Sequence, residues 1–195
     1  LGGSRPLADD EGKDRVKLAV LELLNRKYGI VEEDFISAEL SAVPAFRACD
    51  IGFDRSMIGA YGHDDRVCAY ACFAALLGAA EQLAGEELDV DLYILGSTQE
   101  ETHSTGAVTA AYAIAPQMCV AVDVTHGDSP DASKEKTFPL GKGPVIGLGP
   151  NCTKWMARRM EQKAQELELP VQYEVMAGSS GTNGWPMQII REGIA

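Results

Sequence analysis

The chain has 195 residues, 46% of them apolar, enough to fill the core of one ordinary domain or of one domain with a small appendage. With 29 acidic against 17 basic residues its formal charge is −12, and no cluster of Lys and Arg interleaves with aromatics, so nucleic acid is not an expected partner. No apolar stretch is long enough to span a bilayer and no basic-then-apolar signal segment opens the chain, which makes a cytoplasmic protein with no membrane partner the expectation.

Taken in chain order, "DRVKLAVLELLNRKYG" (14–29) reads as an amphipathic helix stopped at Gly29. "DFISAELSAVPAF" (34–46) has a mixed, strand-like pattern that ends near Pro44. "DIGFDRSMIGAYG" (50–62) is rich in Gly and Asp and reads as loop or turn. "DDRVCAYACFAALLGAAEQLAG" (64–85) is a long Ala-rich helix with acids at its N-terminus, where the helix dipole favours them. "LDVDLYILGS" (88–97) is a strand, "STGAVTAAYAIA" (104–115) a helix stopped before Pro116, and "MCVAVDVT" (118–125) a short buried strand. "CTKWMARRMEQKAQELEL" (152–169) is an amphipathic helix with Asn151 placed to cap it. "VQYEVMA" (171–177) is another strand, and "WPMQIIREG" (185–193) a final helix with Pro186 in its first turn. The alternation predicts an α/β fold with a largely parallel, helix-covered sheet, in which ligands gather beyond the carboxyl ends of the strands.

The five cysteines are scattered, with no CxxC pair, and read as reduced thiols that fill the core. Cys68 and Cys72 could share a helix face, but no second Cys or His pair complements them as a metal site. The acids are more informative. Asp64 and Asp65 open a helix, Glu100 and Glu101 follow a strand, and Asp123 lies in the apolar run "AVDVT", where a lone carboxylate is costly without a partner. Carboxylate oxygens suit hard and borderline dications. One carboxylate can bridge two ions, and a further carboxylate beside the attacking water can act as general base. Adjacent residues of a strand point to opposite faces, so Glu100 and Glu101 reach one centre only where the strand turns into a loop. The plain alternatives stay open: an N-cap at Asp64 or Asp65, and a solvated strand exit at Glu100–Glu101.

"LYILGSTQEE…GAVTAAY", "AVDVTHGDSPD", "KTFPLGKGPVIGLGPN" and "MAGSSGTNGWPMQIIREGIA" resemble the tetrahedral, or glutamyl and deblocking, aminopeptidases, from about residue 86 onward. "DRVKLAVLELLNRKYGIVEEDFISAEL", "DIGFDRSMIGAYG" and "DDRVCAY", within residues 1–75, are more similar to the aspartyl aminopeptidases, a sister family of the same co-catalytic di-zinc clan. The resemblance implies a zinc-exopeptidase sheet, with residues 1–58 as part of an inserted dimerisation or lid region and residues 59–195 as part of the catalytic domain. It further implies a metallo-aminopeptidase that removes the N-terminal residue of peptides with two divalent ions, zinc or else cobalt or manganese. Asp64 would bridge the ions, Glu101 and Asp123 would each bind one, and Glu100 would be the general base for the attacking water. Asp65 and Arg66 would stand beside the metal ligands. Ser180, Gly181, Thr182 and Asn183 match a loop that lines the substrate pocket, though a plain Gly-rich turn reads equally well. Self-association into a tetrahedral dodecamer is the implied assembly.

Departures from the family pattern set an alternative beside this reading. The two family histidine ligands, in a His-x-Asp motif and in a segment after "REGI", are not found in this sequence, which leaves an inactive scaffold or assembly module as the second expectation. In "QEETHSTGA", Thr102 and His103 stand where Val and Gly are expected. His63, His103 and His126 lie near the carboxylates and are candidate replacement ligands.

Overall fold

The computed structural model describes residues 14–195; the opening residues, read above for a signal segment, lie outside them. The chain divides into two compact units, Leu1–Arg47 and Ala48–Ala195.

In the first unit, helix α1 (Arg15–Tyr28) ends as its sequence predicts. Gly29 takes a left-handed φ of 71° and donates its N–H to the Asn25 carbonyl at 2.8 Å, while Arg26 and Lys27 lie in the last turn, where the helix dipole favours cations. Its apolar stripe is not covered among the described residues, and Val16, Leu18, Val20 and Leu23 stand exposed. The strand-like stretch 34–46 forms no strand. A 3-10 turn, Glu32–Phe35, occupies its start, because the Asp34 carboxylate accepts the Val31 N–H at 2.8 Å and offers the backbone a local partner in place of a ladder.

The second unit begins with a hairpin where the Gly- and Asp-rich stretch predicts loop. Strands β1 (Cys49–Ile51) and β2 (Met57–Gly59) pair antiparallel with Asp50 opposite Ile58. The turn between them is closed by the Arg55 N–H on the Gly52 carbonyl and the Ser56 N–H on Asp54 Oδ1, so the turn-forming residues lie between the strands and leave them free to pair. Helix α2 (His63–Gln82) and helix α3 (Thr105–Ile114) fall within a few residues of their expected bounds.

Further on, β3 (Val145–Leu148), α4 (Lys154–Glu166) and β4 (Gln172–Val175) form a strand–helix–strand unit. The strands pair parallel from Val145↔Gln172 to Leu148↔Val175, and α4 packs on β3. The cap of α4 differs from expectation: Thr153 holds the N-cap position, and Asn151 instead donates its amide to the Gly178 carbonyl at 2.8 Å, tying the loops at the ends of the two strands. The final helix is short, α5 (Gly184–Met187), with turns continuing beyond it.

Segments 88–97 and 118–125, expected as strands, carry no named strand, and the described residues hold two separate two-stranded ladders, not one continuous sheet. Parallel pairing nevertheless extends to the second segment. Ala195 donates to the Gln117 carbonyl at 3.2 Å and accepts from the Cys119 N–H at 2.7 Å, one residue bonded to both neighbours of its partner. The core of this region is small and built on α3. Ala107, Ala111 and Met187 are buried together, with Cys119, Ile190 and Ile194 against them, so α3 and α5 pack side by side.

Candidate metal centre

Asp64 and Asp65 do not cap α2. Neither makes a side-chain capping bond, and both leave helical geometry (φ −86°, ψ 102° and φ −130°, ψ 42°), so the regular helix starts beyond them.

The Glu100–Glu101 pair sits where the strand direction is lost. Gln99 takes a left-handed φ of 58°, Glu100–Thr102 form one 3-10 turn, and His103 and Ser104 follow at φ 133° and 56°. Three non-Gly residues at positive φ within six positions make this the most strained turn near the acids. It is held shut by the Ser104 N–H on the Gln99 carbonyl at 2.9 Å and by the Gly106 N–H on the Thr98 carbonyl at 3.2 Å, with Ser104 buried. Only glycine fits at position 106, since a Cβ there would lie 2.4 Å from the Thr98 carbonyl oxygen.

Asp123 follows an extended apolar run, and its Oδ1 accepts the Val124 N–H at 2.8 Å. Two residues on, Thr125 donates its hydroxyl to Glu174 of β4 at 3.1 Å and ties this segment to the parallel pair.

Asp64, Asp65 and Asp123 meet. Each offers a carboxylate oxygen within 4.8 Å of the other two, although the first pair and Asp123 are far apart in sequence. Asp65 Oδ1 is buried and has no hydrogen-bond partner. Three hard oxygen donors and an orphaned buried carboxylate oxygen are what a divalent cation satisfies, so the donor set fits such an ion. Burial, and then the charges of Asp65, Asp64 and Glu101, raise the Asp123 carboxyl above its ordinary range, against the opposing Val124 N–H bond. Glu100 is raised by burial and then by Asp123, Glu101, Asp64 and Asp65. All five carboxylates therefore share one electrostatic field.

The membership of the group differs from the sequence expectation in one respect. Asp65, read as standing beside the ligands, contributes an oxygen, while Glu101 contributes none to this group. The doubled acid in "DDR" was the available signal. The Arg66 guanidinium donates to the Tyr61 carbonyl at 3.3 Å and lies 5.9 Å from the Tyr61 ring. His63, His103 and His126 add no atom to the group. The Cys68 thiol is pushed up to about 12, by burial first and then by its hydrogen bond to Asp65 and nearby negative charge. The loop Ser180–Asn183 leads into α5. Ser180 and Thr182 hydroxyls lie 3.1 Å apart, Thr182 accepts the Gly184 N–H, and Asn183 donates its amide to the Ser97 hydroxyl at 2.9 Å.

Comparison with known proteins bears on this arrangement. The family model described as M42 glutamyl aminopeptidase matches residues 41–195. The lysyl aminopeptidase of Pyrococcus furiosus is 35% identical over 183 residues, 86% of this chain and 51% of its own length. A probable M18 family aminopeptidase 1 of Clostridium acetobutylicum is 59% identical over 75 residues, 38% of this chain and 16% of its own. Among solved structures, the M18 family aminopeptidase of Thermotoga maritima superposes with a TM-score of 0.62 at 26% identity, covering 95% of this chain and 49% of that one. The chain thus spans about half, or less, of the length of these relatives.

Proposed function

Because the chain belongs to the M42 glutamyl aminopeptidase family, we propose that its carboxylate centre hydrolyses the N-terminal peptide bond of peptides with the help of bound divalent cations. The observation that carries this is the convergence of Asp64, Asp65 and Asp123 within 4.8 Å at the exits of sequence-distant segments. Asp64 and Asp123 would hold the ions, with Asp65 beside them and Glu101 approaching from the 3-10 turn. Two cations, zinc or else cobalt or manganese, would supply Lewis acidity, polarising the scissile carbonyl and making a water easier to deprotonate.

The remaining work falls to the chain itself. Glu100 takes the proton of the attacking water and returns one to the leaving amine. In the metal-free chain its carboxyl is raised by burial and then by the neighbouring negative charges. Both glutamates lie in the 99–104 turn, and in this reading Glu100 accepts protons while Glu101 faces the ions. Loop Ser180–Asn183 would border the substrate. Self-association into a dodecamer belongs to the same reading, and light scattering of the purified protein tests it.

The test of the activity uses lysyl and glutamyl 4-nitroanilides, the side chains named by the relative and by the family. Nitroaniline release that stops on chelation and returns with zinc or cobalt supports the proposal. A chain that retains no dication after dialysis is the inactive-scaffold outcome and overturns it.

A further inference from the structure

A side-chain bond joins the 180–183 loop to the segment just ahead of the turn that carries Glu100 and Glu101. The 99–104 turn precedes α3 and the 180–183 loop precedes α5, while α3 and α5 pack through Ala107, Ala111 and Met187. This packing brings the starts of the two helices together. Asn183 then donates its Nδ2 to the Ser97 hydroxyl at 2.9 Å, in a part-buried position three residues ahead of Glu100. Its neighbour Gly184 lies against the other acid-bearing segment, where an added Cβ would sit 3.3 Å from that of Ala121, two residues ahead of Asp123. Asn183 and Gly184 therefore lie beside the segments that lead to Glu100, Glu101 and Asp123.

The Asn183 side chain carries a cost that its packing alone does not explain. Its Oδ1 is buried without a hydrogen-bond partner, which is unfavourable for a neutral acceptor. A smaller apolar residue would avoid that cost, whereas it could not bond Ser97. The geometry points to Asn183 as a positioning residue: through Ser97 it holds the Glu100–Glu101 turn in register with Asp64, Asp65 and Asp123. This deepens the metal-centre reading and rests on it. It assigns Asn183 a role toward the cation-binding acids that does not require contact with substrate. Residues that orient metal ligands from outside typically cost about 10–100-fold in metal affinity when removed.

The test titrates Co²⁺ into the chain and follows visible absorption, with amide hydrogen exchange of the metal-free chain measured alongside. Asn183→Ala and Ser97→Ala should each weaken Co²⁺ binding by about 10–100-fold. The double variant should be no weaker than either single one, because both remove the same bond. Ser97→Thr keeps the hydroxyl and should keep the affinity. Exchange should quicken across 98–106 in the two alanine variants and stay unchanged in α4. Arg191→Ala serves as the control for general loosening. It removes the 2.8 Å bond to the Tyr112 carbonyl between the same two helical regions, and should lower the melting temperature without changing Co²⁺ affinity. Unchanged affinity in Asn183→Ala, or an equal loss in Arg191→Ala, overturns the positioning role and leaves the metal centre standing. A wild-type chain that binds no Co²⁺ overturns the metal-centre reading itself.

Discussion

Replacing Asp123 by Asn should change the sign of its effect on stability according to whether metal is present. In the metal-free chain, Asp123 repels Asp64 and Asp65, whose nearest oxygens lie within 4.8 Å. Two unit charges at that distance in water repel by about 0.9 kcal/mol, and more where the dielectric is lower. Asp64 is exposed and the other two are half-buried, so the water value is the fitting one. Removing two such repulsions should stabilise the chelated protein by about 2 kcal/mol, or about 4–8 °C in melting temperature for a domain of this size. The Asn oxygen can still accept the Val124 N–H, so the local turn survives. With cobalt at a hundred times its dissociation constant, wild type should gain about 2.7 kcal/mol that the variant lacks, reversing their order. The pH profile supplies an internal check. The Asp123 carboxyl is raised in the folded state, so its contribution is full below the unfolded carboxylate range and is lost as pH rises through the raised folded value. The stability advantage of Asp123→Asn under chelator should therefore widen from acid toward neutral pH. A variant that melts below wild type in chelator, or that gains as much from cobalt, refutes the clustering of these charges around an ion.

The neighbouring glutamates should behave differently. Glu101→Gln should weaken cobalt or zinc binding, while Glu100→Gln should keep metal content by elemental analysis and lose about 10²–10⁴-fold in 4-nitroanilide turnover; near-normal turnover in Glu100→Gln removes its role as base. His103→Gly should stabilise the chain, because φ 133° strains a residue with a Cβ by about 1–3 kcal/mol, partly offset by the added freedom of Gly when unfolded. Thermal unfolding reads this as a higher melting temperature, and a lower one shows that the 99–104 turn is not strained by His103.

Much of the local structure was legible. The helices at 15–28, 63–82, 105–114 and 154–166 are long enough for a 3.6-residue period or an Ala-rich run to declare itself. Short elements were less so. The hairpin β1–β2 has strands of three residues around Gly52, Asp54 and Ser56, and the turn residues dominate the pattern. β3 is four residues between Pro144 and Gly149, too short for a period of two to show. The segment 34–46 erred in the other direction: alternation suggested a strand, but Asp34 offered its own backbone a closer hydrogen bond.

The acids themselves could be named from sequence because a carboxylate inside an apolar run is costly wherever the chain goes, and Asp123 is such a residue whatever its neighbours. Composition likewise set the charge and the small Ala-rich helices independently of how they pack. Tertiary structure decided which acids meet. Asp65 enters the group because Asp64 and Asp65 leave helical φ and ψ, a backbone choice that helix propensity at their positions opposes. Glu100 and Glu101 enter a 3-10 turn where Gln99 is left-handed, and Asn183 reaches Ser97 beside the packed Ala107, Ala111 and Met187. Each of these distances depends on residues remote in sequence, since packing one small apolar cluster sets where every loop leading from it ends.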